Sequence, residues 1–196
     1  MASKKQQAKK IIKKRWEEVR APQDICGNTV IGEIYLSGLQ NAIGKKIQYN
    51  IGLVMNQPKY YKYDGTFKIS KIEEKTILTE LEGIQILASQ KQNIILSKTN
   101  LIEDNQVYKT KEGILVKLSY SAATIKKTTK TKETLIRSAL RDFLTKKISE
   151  LTYTDAVKSI LNKDLPYEMK KVSHKLYPLR IMEITKFSIK TQTQKK

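Results

Sequence analysis

One stretch dictates much of what this chain can become: Thr124 to Leu151, TIKKTTKTKETLIRSALRDFLTKKISEL. Its first part is Lys and Thr with little to bury. Its second part places Ile136, Ala139, Leu140, Phe143, Leu144, Ile148 and Leu151 at steps of three and four, the spacing that lines one face of a helix. Arg137 and Arg141 stand four apart on a different face. An apolar stripe that must dock and a cationic stripe left outside describe a helix that packs on protein and touches something anionic.

The chain as a whole is strongly basic. Its 196 residues carry a formal net charge of +19. Such an excess repels itself in a compact state, so a polyanionic partner accounts for it best. The excess is concentrated. Met1–Arg20 holds eight cations and two anions, Thr124–Lys147 the same, and Glu168–Lys196 the same, each net +6. Ala21–Ala123 is only +2, and Ile148–Tyr167 is −1. Of the 38 cations, 33 are Lys and five are Arg. Lysine is a mobile point charge, suited to neutralising a phosphate backbone; arginine is the fork that reads guanine edges.

A β-rich section runs from Asn28 to Tyr120. Ile47, Tyr49, Ile51 and Leu53 alternate with Gln48, Asn50 and Gly52, which predicts a strand over Lys46–Leu53. Phe67 and Ile69 open another strand after the Asp64-Gly65 turn signal, and a further one is expected over Thr76–Leu81. Lys109-Thr110-Lys111-Glu112-Gly113 reads as a hairpin turn, followed by alternating Ile114, Val116, Leu118 and Tyr120. The stretch Ile84–Ile102 suits either strand or a short helix. After Leu151 the pattern is helical. Thr152 and Asp155 form a capping box, with Ala156, Val157, Ile160 and Leu161 inward. Asp164 and Pro166 begin a third helix with Met169, Val172 and Leu176 inward, Pro178 stops it, and Leu179–Ile189 is a final strand. The fold class expected is α+β: an antiparallel curled sheet or small β-barrel, about three α-helices in the C-terminal half, and a basic N-terminal arm. The expected organisation is an arm over 1–20, a β-rich core over 21–123, a helical segment with a returning strand over 124–190, and a polar tail over 191–196.

His174 is the only histidine and Cys26 the only cysteine, so internal disulfides and Cys- or His-based zinc sites lack ligands. His174 is expected to face solvent, and Cys26 to be a small core or loop residue. Gly27–Gly32, GNTVIG, lacks the glycine spacing of phosphate or dinucleotide loops. The pairs Glu73-Glu74 and Glu103-Asp104 are adjacent, so in a strand they point to opposite faces and do not converge; they read as turn residues. No apolar run approaches the roughly 20 residues of a membrane span. The expectation is a non-enzyme with no cofactor, no small-molecule substrate and no membrane partner. A metal-dependent nuclease assembled from distant acids stays open as a third reading.

Several patches, in order, resemble one family. Lys13-Lys14-Arg15-Trp16-Glu17-Glu18-Val19-Arg20-Ala21-Pro22 resembles the N-terminal signature of the small-subunit ribosomal protein family eS-one (formerly S-three-A) of archaea and eukaryotes. Ile43-Gly44-Lys45-Lys46-Ile47, Thr110-Lys111-Glu112-Gly113, Ser149-Glu150-Leu151-Thr152 and Leu176-Tyr177-Pro178-Leu179-Arg180 are similar to its later segments. Two departures stand out. Leu96–Ile102 carries one Lys where the family has an arginine cluster. The long C-terminal extension of eukaryotic members has no counterpart, which leads to the expectation of an archaeal or reduced-genome source.

The resemblance implies a non-enzymatic constituent of the small ribosomal subunit, near the platform and mRNA exit, in the cytoplasm, with small-subunit rRNA and neighbouring ribosomal proteins as partners. It implies a β-barrel-like core with attached helices. It also implies contacts at Lys13, Lys14, Arg15 and Trp16 and at the Ile136-Arg137 step. Charge alone adds Lys4, Lys5, Lys9, Lys10, Arg20, Lys126, Lys127, Lys130, Lys132 and Arg141 as RNA-binding candidates. Trp16 is expected to anchor the arm into the domain, with a base-stacking platform as the other option. The alternative function is a ribosome-associated RNA-binding or translation-factor-like module.

Overall fold

A computed structural model describes residues 14–36, 42–73, 76–94 and 99–190. The chain is α+β. Eight strands form one sheet: β1 (Arg15–Arg20), β2 (Val30–Leu36), β3 (Lys46–Asn50), β4 (Tyr63–Glu73), β5 (Thr76–Ile86), β6 (Leu101–Lys109), β7 (Leu115–Thr124) and β8 (Leu179–Ile189). Among the described residues, three short α-helices interrupt the first half: α1 (Gln23–Cys26), α2 (Ile51–Val54) and α3 (Ala88–Gln92). Three longer ones fill the second half: α4 (Lys130–Glu150), α5 (Tyr153–Leu161) and α6 (Asp164–His174).

The sheet branches at β5. One edge of β5 is taken along its length by antiparallel β4, which in turn carries β3. Its other edge is divided. Thr76–Leu78 pairs with β1, and Gly83–Gln85 pairs with β8. From there the order runs β8-β7-β6 on one side and β1-β2 on the other. Two expectations change here. The sheet is mixed rather than antiparallel, because β1 runs parallel to β5 over Glu18–Arg20. It is also open, not a closed barrel: among the described residues β2, β3 and β6 end their branches without meeting, and closure needs end strands to pair.

Helix α4 docks by its stripe. Ile136, Leu140, Leu144 and Ile148 are fully buried at strict steps of four, against β6 and α6. Thr152 caps α5 as expected, its hydroxyl accepting from the Asp155 N–H at 3.2 Å. In α6, Leu165, Pro166, Met169 and Ser173 are buried, and the Ser173 hydroxyl is satisfied by the Met169 carbonyl at 3.0 Å. Leu176 does not face inward as expected. The helix ends at His174, so the spacing that would have carried Leu176 to the core stops short, and the residue is exposed.

The expected strand over Lys46–Leu53 also stops early, at Asn50. The Asn50 side-chain oxygen accepts from the N–H groups of Gly52 (3.0 Å) and Leu53 (3.4 Å) and so starts α2, overriding the alternating pattern. Ile84–Ile102 is both strand and helix: β5 continues to Ile86, α3 follows, and Leu101 opens β6. Glu103 and Asp104 are strand residues of β6, not turn residues.

Candidate nucleic-acid interface

The hinge before α4 is held by the segment that precedes β8. The Ile125 N–H donates to the Pro178 carbonyl at 3.4 Å, and the Tyr177 hydroxyl lies 3.4 Å from the carbonyls of Lys126 and Lys127. The Lys132 ammonium sits over the Tyr177 ring at 5.4 Å, a cation–π contact. Lys126, Lys127, Lys130 and Lys132 are all exposed. None of them takes part in an ion pair with a carboxylate among the described residues. The sequence has Lys126 and Tyr177 some fifty residues apart; the fold makes them neighbours.

The two arginines of α4 meet an anion inside the protein. Arg141 grips Asp104 of β6 with both Nε (2.6 Å) and Nη2 (2.9 Å), a bidentate pair. That guanidinium holds the Asp104 carboxyl below the usual carboxylate range. Arg137 lies 3.9 Å from Glu133 one turn earlier. Next to Asp104 in the strand, Glu103 turns the other way. It accepts from the Ser121 hydroxyl at 2.7 Å and pairs with Lys91, and chiefly the Ser121 bond holds its carboxyl low. The adjacent acids thus diverge, as strand geometry requires.

At the N-terminal end, Trp16 is not an anchor: it is 65% exposed. Parity decides this. Val19 is the residue of β1 that reaches the core, and Trp16, three positions away, must point to the opposite face of the strand. There it lies directly across from Tyr35 of β2, ring centroids 5.1 Å apart, with the Lys14 ammonium 5.6 Å from the Tyr35 ring. This is an exposed aromatic pair with a cation on it. Tyr35 escaped the sequence reading because only the register of β1 and β2 brings it to Trp16. Arg15 is exposed at the start of β1; Arg20 is half-buried, 3.8 Å from Glu18, beside the Glu18/Glu33 cross-strand pair. Lys4, Lys5, Lys9, Lys10 and Lys13 lie outside the described residues.

A further basic surface, absent from the sequence reading, lies between α6 and β8, where Lys163, Lys170 and Arg180 line one cleft with Tyr167. Lys170 and Arg180 belong to the basic Glu168–Lys196 segment, but only the packing of α6 on β8 brings them with Lys163 to one cleft. Cys26 is buried, and burial pushes its thiol up to about 11, far from a reactive thiolate. His174 is exposed, as expected. Among the described residues, no three His, Cys, Asp or Glu side chains are placed together to hold a metal ion, and no helix is long and apolar enough to cross a membrane.

Comparison with known proteins finds relatives along nearly the whole chain. Over 175 residues, 89% of this chain and 88% of the relative, it is 31% identical to "Small ribosomal subunit protein eS1" of Nanoarchaeum equitans. It is 27% identical over 173 residues to the protein of the same name from Desulfurococcus amylolyticus (88% and 81% covered). It is 25% identical over 179 residues to that of Saccharolobus islandicus (90% and 84% covered). A family model, that of the Ribosomal S3Ae family, matches residues 2–193. With nearly its whole length matched, from the N-terminal basic segment through the last strand, the chain belongs to the Ribosomal S3Ae family.

Proposed function

We propose that this protein is a structural constituent of the small ribosomal subunit that binds small-subunit rRNA through its lysine-rich segments, near the platform and mRNA exit. The observation that carries the reading is the family match over residues 2–193, with relatives named as small-subunit proteins. Its role there is positional and not catalytic. A packed sheet with α4 docked on it is the rigid body; the hinge lysines and the N-terminal segment supply the charge.

The geometry separates the candidate cations by what they already do. Lys126, Lys127, Lys130 and Lys132 are exposed and available to phosphate, the first two on a loop whose path is fixed by Tyr177 and Pro178 and the other two in the first turn of α4. Arg137 and Arg141 serve first to hold α4 to its own carboxylates and to β6. Trp16 and Tyr35 offer a stacking surface beside Lys14 and Arg15. Neighbouring ribosomal proteins and a cytoplasmic, ribosome-bound location follow from the same reading.

The test is the salt dependence of rRNA binding. Each phosphate neutralised contributes about 0.7 to 0.9 to the slope of log affinity against log salt. Replacing Lys126, Lys127, Lys130 and Lys132 together by Ala is expected to flatten that slope by about 3. A wild-type protein whose rRNA affinity barely responds to salt would refute the reading. Fractionation separates the alternative of a visiting factor: a constituent stays with small subunits through a high-salt wash, whereas a factor leaves.

A further inference from the structure

The cleft between α6 and β8 encloses about 280 Å³ and is lined by Lys163, Tyr167, Lys170, Arg180 and Glu183, among others. Its one lining carboxylate is already taken: Glu183 receives the Lys62 ammonium on both oxygens, at 2.8 and 2.9 Å. Lys62 comes from the turn before β4, so a third element supplies the partner of Glu183. That leaves Lys163, Lys170 and Arg180 with no carboxylate partner in the described ion pairs; of the two acids of α6, Glu168 pairs with Lys147 and Asp164 is exposed in the first turn.

Two further features set the cleft apart from an ordinary solvated face. The Lys170 ammonium is fixed in place, donating to the Arg180 carbonyl at 2.9 Å, so part of its positional entropy is already lost. Lys62 is half-buried beside Lys163. Its pKa is lowered, by burial most and by the neighbouring Lys163 charge as well, against the opposing pull of Glu183. On the outer side of α6, Tyr167 is 60% exposed with the Lys171 ammonium 4.5 Å from its ring centroid. The residues around it, Leu165, Pro166 and Met169, are packed into the core.

The cleft and the hinge are close in the chain at one point. Arg180 lies three residues beyond Tyr177, about 10 Å along extended chain, and Tyr177 is the residue that meets the hinge carbonyls.

We infer that this cleft binds the sugar-phosphate backbone of single-stranded RNA, with an unpaired base stacked on Tyr167, extending the contact made by the hinge. The inference rests on the RNA-binding reading above and adds a second face to it. An acidic protein segment would answer the cations equally, but it would leave the flat exposed ring without a use. Bases stack on such a ring whatever their sequence.

The experiment uses the full chain and a fluorescent single-stranded RNA of mixed sequence, about 16 nucleotides long, the upper site size of a stacking groove. Binding is followed by anisotropy from about 50 to 200 mM salt. Replacing Lys163 and Arg180 together by Ser is expected to make the slope of log affinity against log salt shallower by about 1.4, the loss of two single-strand phosphate contacts. Tyr167→Ala should weaken binding by about fivefold or more, and Tyr167→Phe should restore it, since the ring and not the hydroxyl stacks. Far-UV circular dichroism should be unchanged in all three, because these side chains are exposed.

The hinge variant and polyglutamate are measured in parallel. If the hinge variant flattens the slope and the cleft variants match wild type, the cleft assignment is wrong and the RNA reading stands. If wild type itself shows no salt-dependent RNA binding, the RNA reading falls and the cleft assignment with it. If the cleft variant loses polyglutamate binding but keeps RNA binding, the partner is an acidic protein and the inference is overturned.

Discussion

Gly83 sits where the sheet divides, and replacing it by Ala tests the architecture at its narrowest point. Only three residue pairs join β5 to β8: Gly83 to Ser188, Ile84 to Phe187 and Gln85 to Lys186. A methyl group on Gly83 would stand 2.7 Å from the Phe187 carbonyl oxygen and 2.7 Å from Ser188 Cβ. Ordinary contact begins at 3.4 Å, so β8 must retreat by about 0.7 Å. The obstacles are backbone and a strand-held side chain, not a flexible tip. A retreat of that size takes a 2.9 Å ladder bond beyond useful length.

Overpacking of this kind costs about 1–3 kcal/mol. Against it stands a gain of about 0.4–1 kcal/mol, because Ala has fewer unfolded conformations than Gly. The net expectation is a loss of about 1–2 kcal/mol. With a urea dependence of about 1–3 kcal/mol per molar, the midpoint should fall by about 0.5–1 M. The near-UV circular dichroism should change as well, because Phe187 stacks on Tyr153 at 5.6 Å. Gly32→Ala is the control: nothing lies within 4 Å of its added methyl, so it should be neutral or slightly stabilising. An unchanged or raised midpoint for Gly83→Ala would refute the close approach of β5 and β8.

Two other outcomes follow from the structure. Asp104 is held low by Arg141, so its folded pKa lies below the unfolded value of about 3.9. Its contribution to stability is then complete above that value and is lost as pH falls through the folded one. Unfolding free energy measured across the acid range should fall less steeply for Asp104→Asn than for wild type; identical acid limbs would show that the pair does not matter for stability. Thr152→Ala removes the cap of α5 and should cost about 1 kcal/mol in urea unfolding, with no effect on RNA affinity.

Where local patterns act over a few residues, they were legible. The stripe Ile136, Leu140, Leu144 and Ile148, the Thr152 cap, the turn at Lys109–Gly113 and the strand Leu179–Ile189 all emerge from spacing, and the structure contains each. The expectation for Lys46–Leu53 failed at one residue, because a capping side chain at Asn50 outweighed alternation. Trp16 failed differently. Its neighbours Lys14 and Arg15 and its size gave no hint of direction, which depends on which side of β1 meets the core.

By itself, then, the order of residues determined the secondary elements with strong periodicity, the excess of lysine and its three concentrations along the chain. It did so because capping, amphipathic spacing and charge are properties of neighbours. Tertiary structure alone decided that β5 would serve three partners, that Arg141 would be tied to Asp104, that Lys62 would meet Glu183, and that Lys163, Lys170 and Arg180 would share one cleft. Those side chains lie as much as 121 residues from the groups they meet. Only closing the chain on its sheet could bring them together, and no local rule encodes which ones.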